Sequence, residues 1–285
     1  MKTATTKTVT SKDGTTIAYH ELGAGPGLVL LHGAIQTGHS NIELARALSG
    51  SFTCYLPDRR GRGASGPSGP DYGLGREVED LAALVTATGA RRVLGVSSGA
   101  IIALRAAPAL PALRKAVIFE PPLDLGGSNP TGWLPGFDRD IAAGRTAAAL
   151  VTGMKAARLG PPVFAYLPRG LLERLTSAML VQQDKRPVPG ESTFRELAPS
   201  LHNDASLVAE TSDDLDVYRG VDAEVLLLGG SKSPAYLRNA LTALEGVLPN
   251  ARRVIMPGLG HSATSNAAAR GRPETVARAV RDFLT

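Results

Sequence analysis

Six short apolar runs, each bounded by glycine or proline turns, restrict what this chain can fold into: Leu28–Leu31, Phe52–Leu56, Arg92–Val96, Ala116–Phe119, Val225–Leu228 and Val254–Met256. They are too short for helices. Their nearly continuous apolar character suits strands buried on both faces, as in a parallel sheet. Between them lie segments with apolar residues three and four apart: Ile42–Leu48, Arg76–Thr88, Ala100–Ala107, Pro234–Leu248 and Thr275–Phe283. Strand alternating with helix predicts an α/β fold, a mostly parallel twisted sheet flanked by helices. Upstream, Thr6–Glu21 reads as a hairpin, because β-rich runs flank the turn dipeptide Asp13-Gly14.

The alternation stops between about 122 and 215. That stretch carries helical patterns over 138–159 and 171–183 and no convincing strand. It reads as a helical insertion, residues 123–212, between two strands of a core formed by 1–122 and 213–285. Trp133, Phe137, Met154 and Phe164 either face a pocket or pack the insertion's own core.

Composition narrows the function classes. With 285 residues, 43% hydrophobic and 20% charged, the chain is an ordinary globular protein. The net charge is +5, but the arginines are scattered, and a nucleic-acid footprint needs one clustered basic face. Cys54 is the only cysteine, so there is neither an internal disulfide nor zinc-type spacing; its apolar setting marks it as an inert small hydrophobe. The first residues show no secretory h-region and no apolar run approaches a membrane span, so the default expectation is a cytoplasmic protein without membrane association.

Gly95-Val96-Ser97-Ser98-Gly99 follows a buried strand and precedes a helix. In that context G-x-S-x-G is a nucleophile elbow: the turn is tight, small residues two before and two after the serine let strand and helix approach, and the hydroxyl is presented at the carboxyl edge of the sheet. The alternative is a chance glycine-rich turn. Leu30-Leu31-His32-Gly33-Ala34 ends the first buried run and can aim a backbone N–H at a developing oxyanion, with Ala34 and Ser98 as the donors and Gly33 beside the substrate; the alternative is an ordinary βα turn. Pro257-Gly258-Leu259-Gly260-His261 follows the last run, and His261 alone of the five histidines combines chain order and sheet edge for a general base. His32 reads as structural, His20 lies in the hairpin, His39 in an early helix and His202 in the insertion.

These segments resemble the α/β-hydrolase superfamily over nearly the whole chain. The hairpin, His32-Gly33, Asp58-Arg59-Arg60-Gly61-Arg62-Gly63-Ala64-Ser65, the elbow and Gly260-His261 fall in family order. The resemblance implies that Asp58–Ser65 is a supporting turn and that the insertion is a cap shaping the substrate pocket. One departure stands out. The family usually sets its triad acid after the penultimate strand, where this chain reads Gly229-Gly230-Ser231-Lys232-Ser233-Pro234 with no Asp or Glu from Val225 to Leu244. Glu120, directly after Ala116–Phe119, is the best substitute, and the acid sits there in some members of the superfamily, including lactone hydrolases; Asp124 and the absence of any acid are the alternatives.

The resulting expectation is a serine hydrolase of the esterase or lactonase type. Ser97 attacks an acyl carbon, His261 moves the proton, Glu120 orients His261, and the N–H groups of Ala34 and Ser98 hold the oxyanion. Gly33, Trp133, Phe137 and Met154 are the candidate substrate contacts. The substrate is a small, largely apolar molecule, and the chemistry requires no cofactor or metal. Carbon–carbon bond hydrolysis or lyase chemistry with the same triad stays open, as does a non-turnover binding protein that kept the fold and pocket. The sequence leaves the oligomeric state open.

Overall fold

Alternate residues of the central strands go to two separate cores, which is why the apolar runs are continuous. The computed structural model describes residues 4–158, 164, 166–186, 188 and 191–285. Its elements run β1 (Thr5–Thr10), β2 (Thr16–Gly23), β3 (Gly27–Leu31), α1 (Ile42–Leu48), β4 (Thr53–Pro57), α2 (Leu74–Thr88), β5 (Arg92–Val96), α3 (Ser98–Ala109), β6 (Lys115–Phe119), α4 (Leu134–Ala142), α5 (Thr146–Ala156), α6 (Arg169–Lys185), α7 (Phe194–Leu197), α8 (Leu201–Glu210), β7 (Glu224–Gly230), α9 (Ala235–Glu245), β8 (Ala251–Met256) and α10 (Pro273–Leu284). In β6 and β7, Ala116, Ile118, Val225 and Leu227 join the core under α2, α3 and α9. Their neighbours Val117, Phe119, Leu226 and Leu228 join the core under α1 and α10. A strand whose side chains alternate sides, with both sides buried, has no polar position to spare.

The eight strands form one sheet in the order β1-β2-β4-β3-β5-β6-β7-β8. The β1–β2 hairpin and the β2–β4 pair are antiparallel, and all later pairs are parallel. The direction of winding reverses at β3: β4 lies on one side of it and β5 on the other. Loops leaving the carboxyl ends of two such neighbouring strands diverge and open a crevice, where ligands of open α/β sheets bind. The loop after β3 carries Ala34 and the turn after β5 carries Ser97.

Several details differ from the sequence reading. β8 is an edge strand with Arg252 and Val254 exposed, so its apolar run is not buried on both faces. The helical pattern over 138–159 is two helices, because Gly144 adopts a left-handed φ of 70° between α4 and α5; Leu159 lies outside the described residues. His39 sits in a 3-10 turn, Gly38–Asn41, ahead of α1. Helix α8 escaped the reading because Asn203, Asp204 and Ser206 are poor helix formers, yet Ala205, Leu207 and Val208 are buried along it. Among the described residues, β6 and β7 are joined only by helices and turns. Cys54 is fully buried, and burial pushes its thiol up to about 12, which leaves it inert.

Close approach of α3 to the sheet fixes the elbow. A Cβ on Gly99 would sit 2.5 Å from the carbonyl oxygens of both Leu31 and His32, and one on Gly95 would collide with the backbone of Gly99 and Ala100. Backbone cannot yield as a side chain can. Gly99→Ala is therefore expected to destabilise the fold by more than about 2 kcal/mol, at or beyond the usual cost of overpacking, read as a lowered midpoint in denaturant unfolding. An unchanged midpoint would contradict this packing.

Candidate active site

Ser97 directly follows β5 in a conformation that only a strained turn imposes, φ 55° and ψ −122°. Such backbone costs of order 1–3 kcal/mol at a non-glycine residue and persists where its surroundings enforce it. The N–H of Ser97 donates to the carbonyl of Phe119 on the neighbouring strand at 2.9 Å, which pins the turn.

His261 opens a short 3-10 turn, His261–Thr264, after the glycine loop that follows β8. Its Nε2 is 3.2 Å from Ser97 Oγ, and its Nδ1 is 2.6 Å from Glu120 Oε2. The Phe119 ring stacks against the imidazole, with centroids 6.2 Å apart. Glu120 is fully buried and holds a positive φ of 48°. Its second oxygen, Oε1, accepts the N–H of Gly230 at 2.6 Å. A carboxylate can only accept, so the shared proton belongs to Nδ1 and the Nε2 lone pair is left facing the serine hydroxyl.

The carboxylate behind His261 thus directly follows β6, while β7 supplies glycines that accommodate it. A Cβ on Gly229 would lie 3.0 Å from Glu120 Oε1. Ser233, at the family's usual acid position, is buried with no hydrogen-bond partner for its hydroxyl among the described residues. Asp124 Oδ1 instead accepts the N–H of Asn129 within its own loop.

Ala34 and Ser98 line the same cavity as Ser97 and His261. Among the described residues, neither N–H has a backbone acceptor. Ser98 is the first residue of α3, where N–H groups lack intrahelical partners and the helix dipole favours negative charge. Gly33 is not part of the lining: its N–H donates to Gln36 Oε1 at 2.8 Å, and a Cβ there would meet the Ser97 side chain at 3.0 Å. Its role is to leave room for Ser97.

The cavity measures about 430 Å³, within the range of small-molecule sites. Trp133 and Met154 line it, with Phe164, Leu172, Leu201 and Val208. Phe137 does not. It is fully buried behind Trp133, edge-on at 5.7 Å, so it supports the wall rather than touching the cavity. Among the described residues lining the cavity there is no lysine or arginine.

A buried charge cluster at the edge of this cavity, whose lining includes Asp204, was not read from the sequence. Asp204 of α8 is 3% exposed. Its Oδ1 accepts from Ser98 Oγ at 2.7 Å and Arg59 Nη1 at 2.9 Å, and lies 2.8 Å from Arg62 Nη2. Burial alone would raise the Asp204 carboxyl, but Arg62 and Arg59 outweigh it and hold it at about 2. Glu77 takes Arg59 Nη2 at 2.7 Å on the other side. His32 is buried here, and burial, then Arg62 and Arg59, push it well below its ordinary value. Its Nε2 accepts the Arg59 N–H at 3.1 Å, so its Nδ1 carries the proton and donates to the Gly33 carbonyl at 2.9 Å. Three arginines within Arg59–Arg62 were the available signal, since buried arginines require carboxylates; nothing local points to which residue supplies them.

Known proteins are similar to this chain in sequence and fold. An alpha/beta hydrolase from Sphaerobacter thermophilus has 31% sequence identity and a TM-score of 0.80, over 98% of this chain and 100% of that one. The 2-(acetamidomethylene)succinate hydrolase of Mesorhizobium japonicum is 26% identical over 271 residues, 94% of this chain and 91% of that protein. The N-formylmaleamate deformylase of Pseudomonas putida is 37% identical over 106 residues, 35% of this chain and 39% of that protein. The profile of the alpha/beta hydrolase family matches residues 28–279, nearly the full length, and with the sheet order and the elbow this places the chain in the α/β-hydrolase family.

Proposed function

We propose that this protein is a serine hydrolase that cleaves a carboxylic ester or lactone of a small, largely apolar, uncharged molecule through an acyl-enzyme. The observation that carries the reading is the unbroken hydrogen-bonded line from Ser97 Oγ through His261 to Glu120 at the floor of an apolar cavity.

In this reading His261 Nε2 takes the Ser97 proton as Oγ forms a bond to the acyl carbon. The carbonyl oxygen becomes an oxyanion held by the N–H groups of Ala34 and Ser98. Glu120 keeps Nδ1 protonated and stabilises the imidazolium. The C–O bond to the leaving alkoxide then breaks as His261 returns the proton to it. Water, deprotonated by the same imidazole, attacks the acyl carbon and frees the acid and Ser97. The segment 123–212 acts as a cap that supplies the apolar walls.

A second reading is cleavage of another bond beside a carbonyl with the same side chains. It is favoured by the named relatives, which act on 2-(acetamidomethylene)succinate and N-formylmaleamate. Both of those compounds are anions. A carboxylate carried into an apolar cavity needs a partner cation; among the described residues no lysine or arginine lines this one, whereas the Asp204 carboxylate does. That supports the uncharged ester.

Ser97→Ala should lower kcat by several orders of magnitude and abolish labelling by a fluorophosphonate probe; wild-type activity in that variant would remove Ser97 from the chemistry. Glu120→Gln should keep the fold and lower kcat by roughly 10²–10⁴-fold, and an unchanged kcat would show that His261 is oriented by something else. For p-nitrophenyl esters, kcat/KM should rise about fourfold per added methylene until the cavity is full, following about 0.8 kcal/mol per buried CH₂. A preference for acetate, or for the relatives' anionic compounds over every neutral ester, would overturn the substrate assignment.

A further inference from the structure

Both proposed oxyanion donors are tied, through one intermediate group each, to the same buried carboxylate on a helix outside the sheet. The Gly33–Ala34 peptide is trans, so its carbonyl and its N–H point in opposite directions. The Gly33 carbonyl is held on the buried side by two donors, Arg62 Nη1 at 3.0 Å and His32 Nδ1 at 2.9 Å. That fixes the peptide plane and turns the Ala34 N–H the other way, toward the cavity that Ala34 lines. A charged donor on the carbonyl also polarises the amide and strengthens its N–H as a donor.

Ser98 is held by its side chain. Its Oγ accepts from Arg59 Nη1 at 3.0 Å and donates to Asp204 Oδ1 at 2.7 Å, so the residue whose N–H faces the oxyanion cannot rotate freely. Asp204 Oδ1 also anchors Arg62. Arg59, Arg62, Gly33 and Ser98 all lie on loops or helix starts of the sheet body, whereas Asp204 is the contribution of α8.

We propose that Asp204 is a positioning residue for the oxyanion hole, aligning the Ala34 N–H through Arg62 and the Ser98 N–H through the Ser98 hydroxyl. This rests on the serine-hydrolase reading. Its consequence is that the site is competent only while α8 is seated: withdrawing Asp204 leaves Arg62 and Ser98 without their common partner, and the two N–H groups lose their convergence. Binding of the ground-state ester draws on the apolar walls and is spared, because the N–H groups do most of their work on the charge that develops later.

The test compares the wild-type enzyme with Asp204→Asn and Ser98→Ala on one neutral p-nitrophenyl ester, together with the affinity of a trifluoromethyl ketone whose serine adduct carries the oxyanion. Removing a single donor outright costs about 10²–10³ in kcat, so misaligning both should lower kcat by roughly 10–100-fold in Asp204→Asn. KM should stay within about twofold, and ketone affinity should fall in step with kcat. Ser98→Ala removes no buried charge and should fold even if Asp204→Asn does not; it should show the same split at smaller size. Folded variants with wild-type kcat and ketone affinity would overturn the proposal. So would a raised KM with unchanged kcat, which would make Asp204 a direct substrate contact. A wild-type enzyme that neither turns over the ester nor binds the ketone would instead sink the serine-hydrolase reading itself.

Discussion

The 2.6 Å contact between Glu120 and His261 sets the terms for the rest of the site. An imidazole can take a proton from serine only if its ring is held in one tautomer, and that requires an acceptor behind Nδ1. Here the acceptor is fully buried, and a buried carboxylate is tolerable only when its oxygens are satisfied. The backbone meets that demand: Gly230 donates to Oε1 while His261 occupies Oε2. The same demand explains the two glycines ending β7, since Gly229 leaves the space the carboxylate fills and a Cβ on Gly230 would strike the Leu259 carbonyl just ahead of His261. With the carboxylate after β6, it is β7 that carries no side chain at the facing positions.

A second buried layer lies against Gly33 and Ser98. Arg59 and Arg62 are answered by Glu77 and Asp204, and Arg60 separately by Asp80 and Asp13. Buried ion pairs of this kind add little net stability over apolar packing, yet losing one partner strands the other charge. Their effect is geometric. The arginines spread from a single turn after β4 and pin the Gly33 carbonyl, the Ser98 hydroxyl and α8 to one another. The two layers hold different groups: Glu120 holds the His261 imidazole, and the arginine cluster holds the Gly33 carbonyl and the Ser98 hydroxyl.

Much of this was legible in the sequence because it rests on local chemistry. Continuous apolar runs gave the buried parallel strands, Asp13-Gly14 gave the hairpin, and Gly95 and Gly99 marked the close approach of α3 to the sheet. Glu120 could be reached by exclusion, since the loop after β7 holds no carboxylate and Glu120 ends a buried strand at the ligand-binding edge. What escaped was set by tertiary contact. Asp204 lies 145 residues from Arg59, in a helix whose polar residues mask its apolar face, and only the fold brings them together. The split between α4 and α5 turns on one left-handed glycine inside an otherwise helical pattern. Phe137 and Trp133 have the same apolar character, and packing alone decides that Trp133 meets the cavity while Phe137 stands behind it.

Whether Glu120 is the group that holds His261 for Ser97 is directly observable by proton NMR of protein labelled with nitrogen-15 in its histidine rings. An imidazole Nδ1 proton shared with a buried carboxylate resonates far downfield of the amide region. One such signal is expected in the wild-type protein, assigned to His261 by its loss in His261→Asn, with a large upfield move in Glu120→Gln, where a neutral amide replaces the carboxylate. A signal from His261 that stays in place in Glu120→Gln would contradict this role of Glu120, because another carboxylate would then be holding the ring.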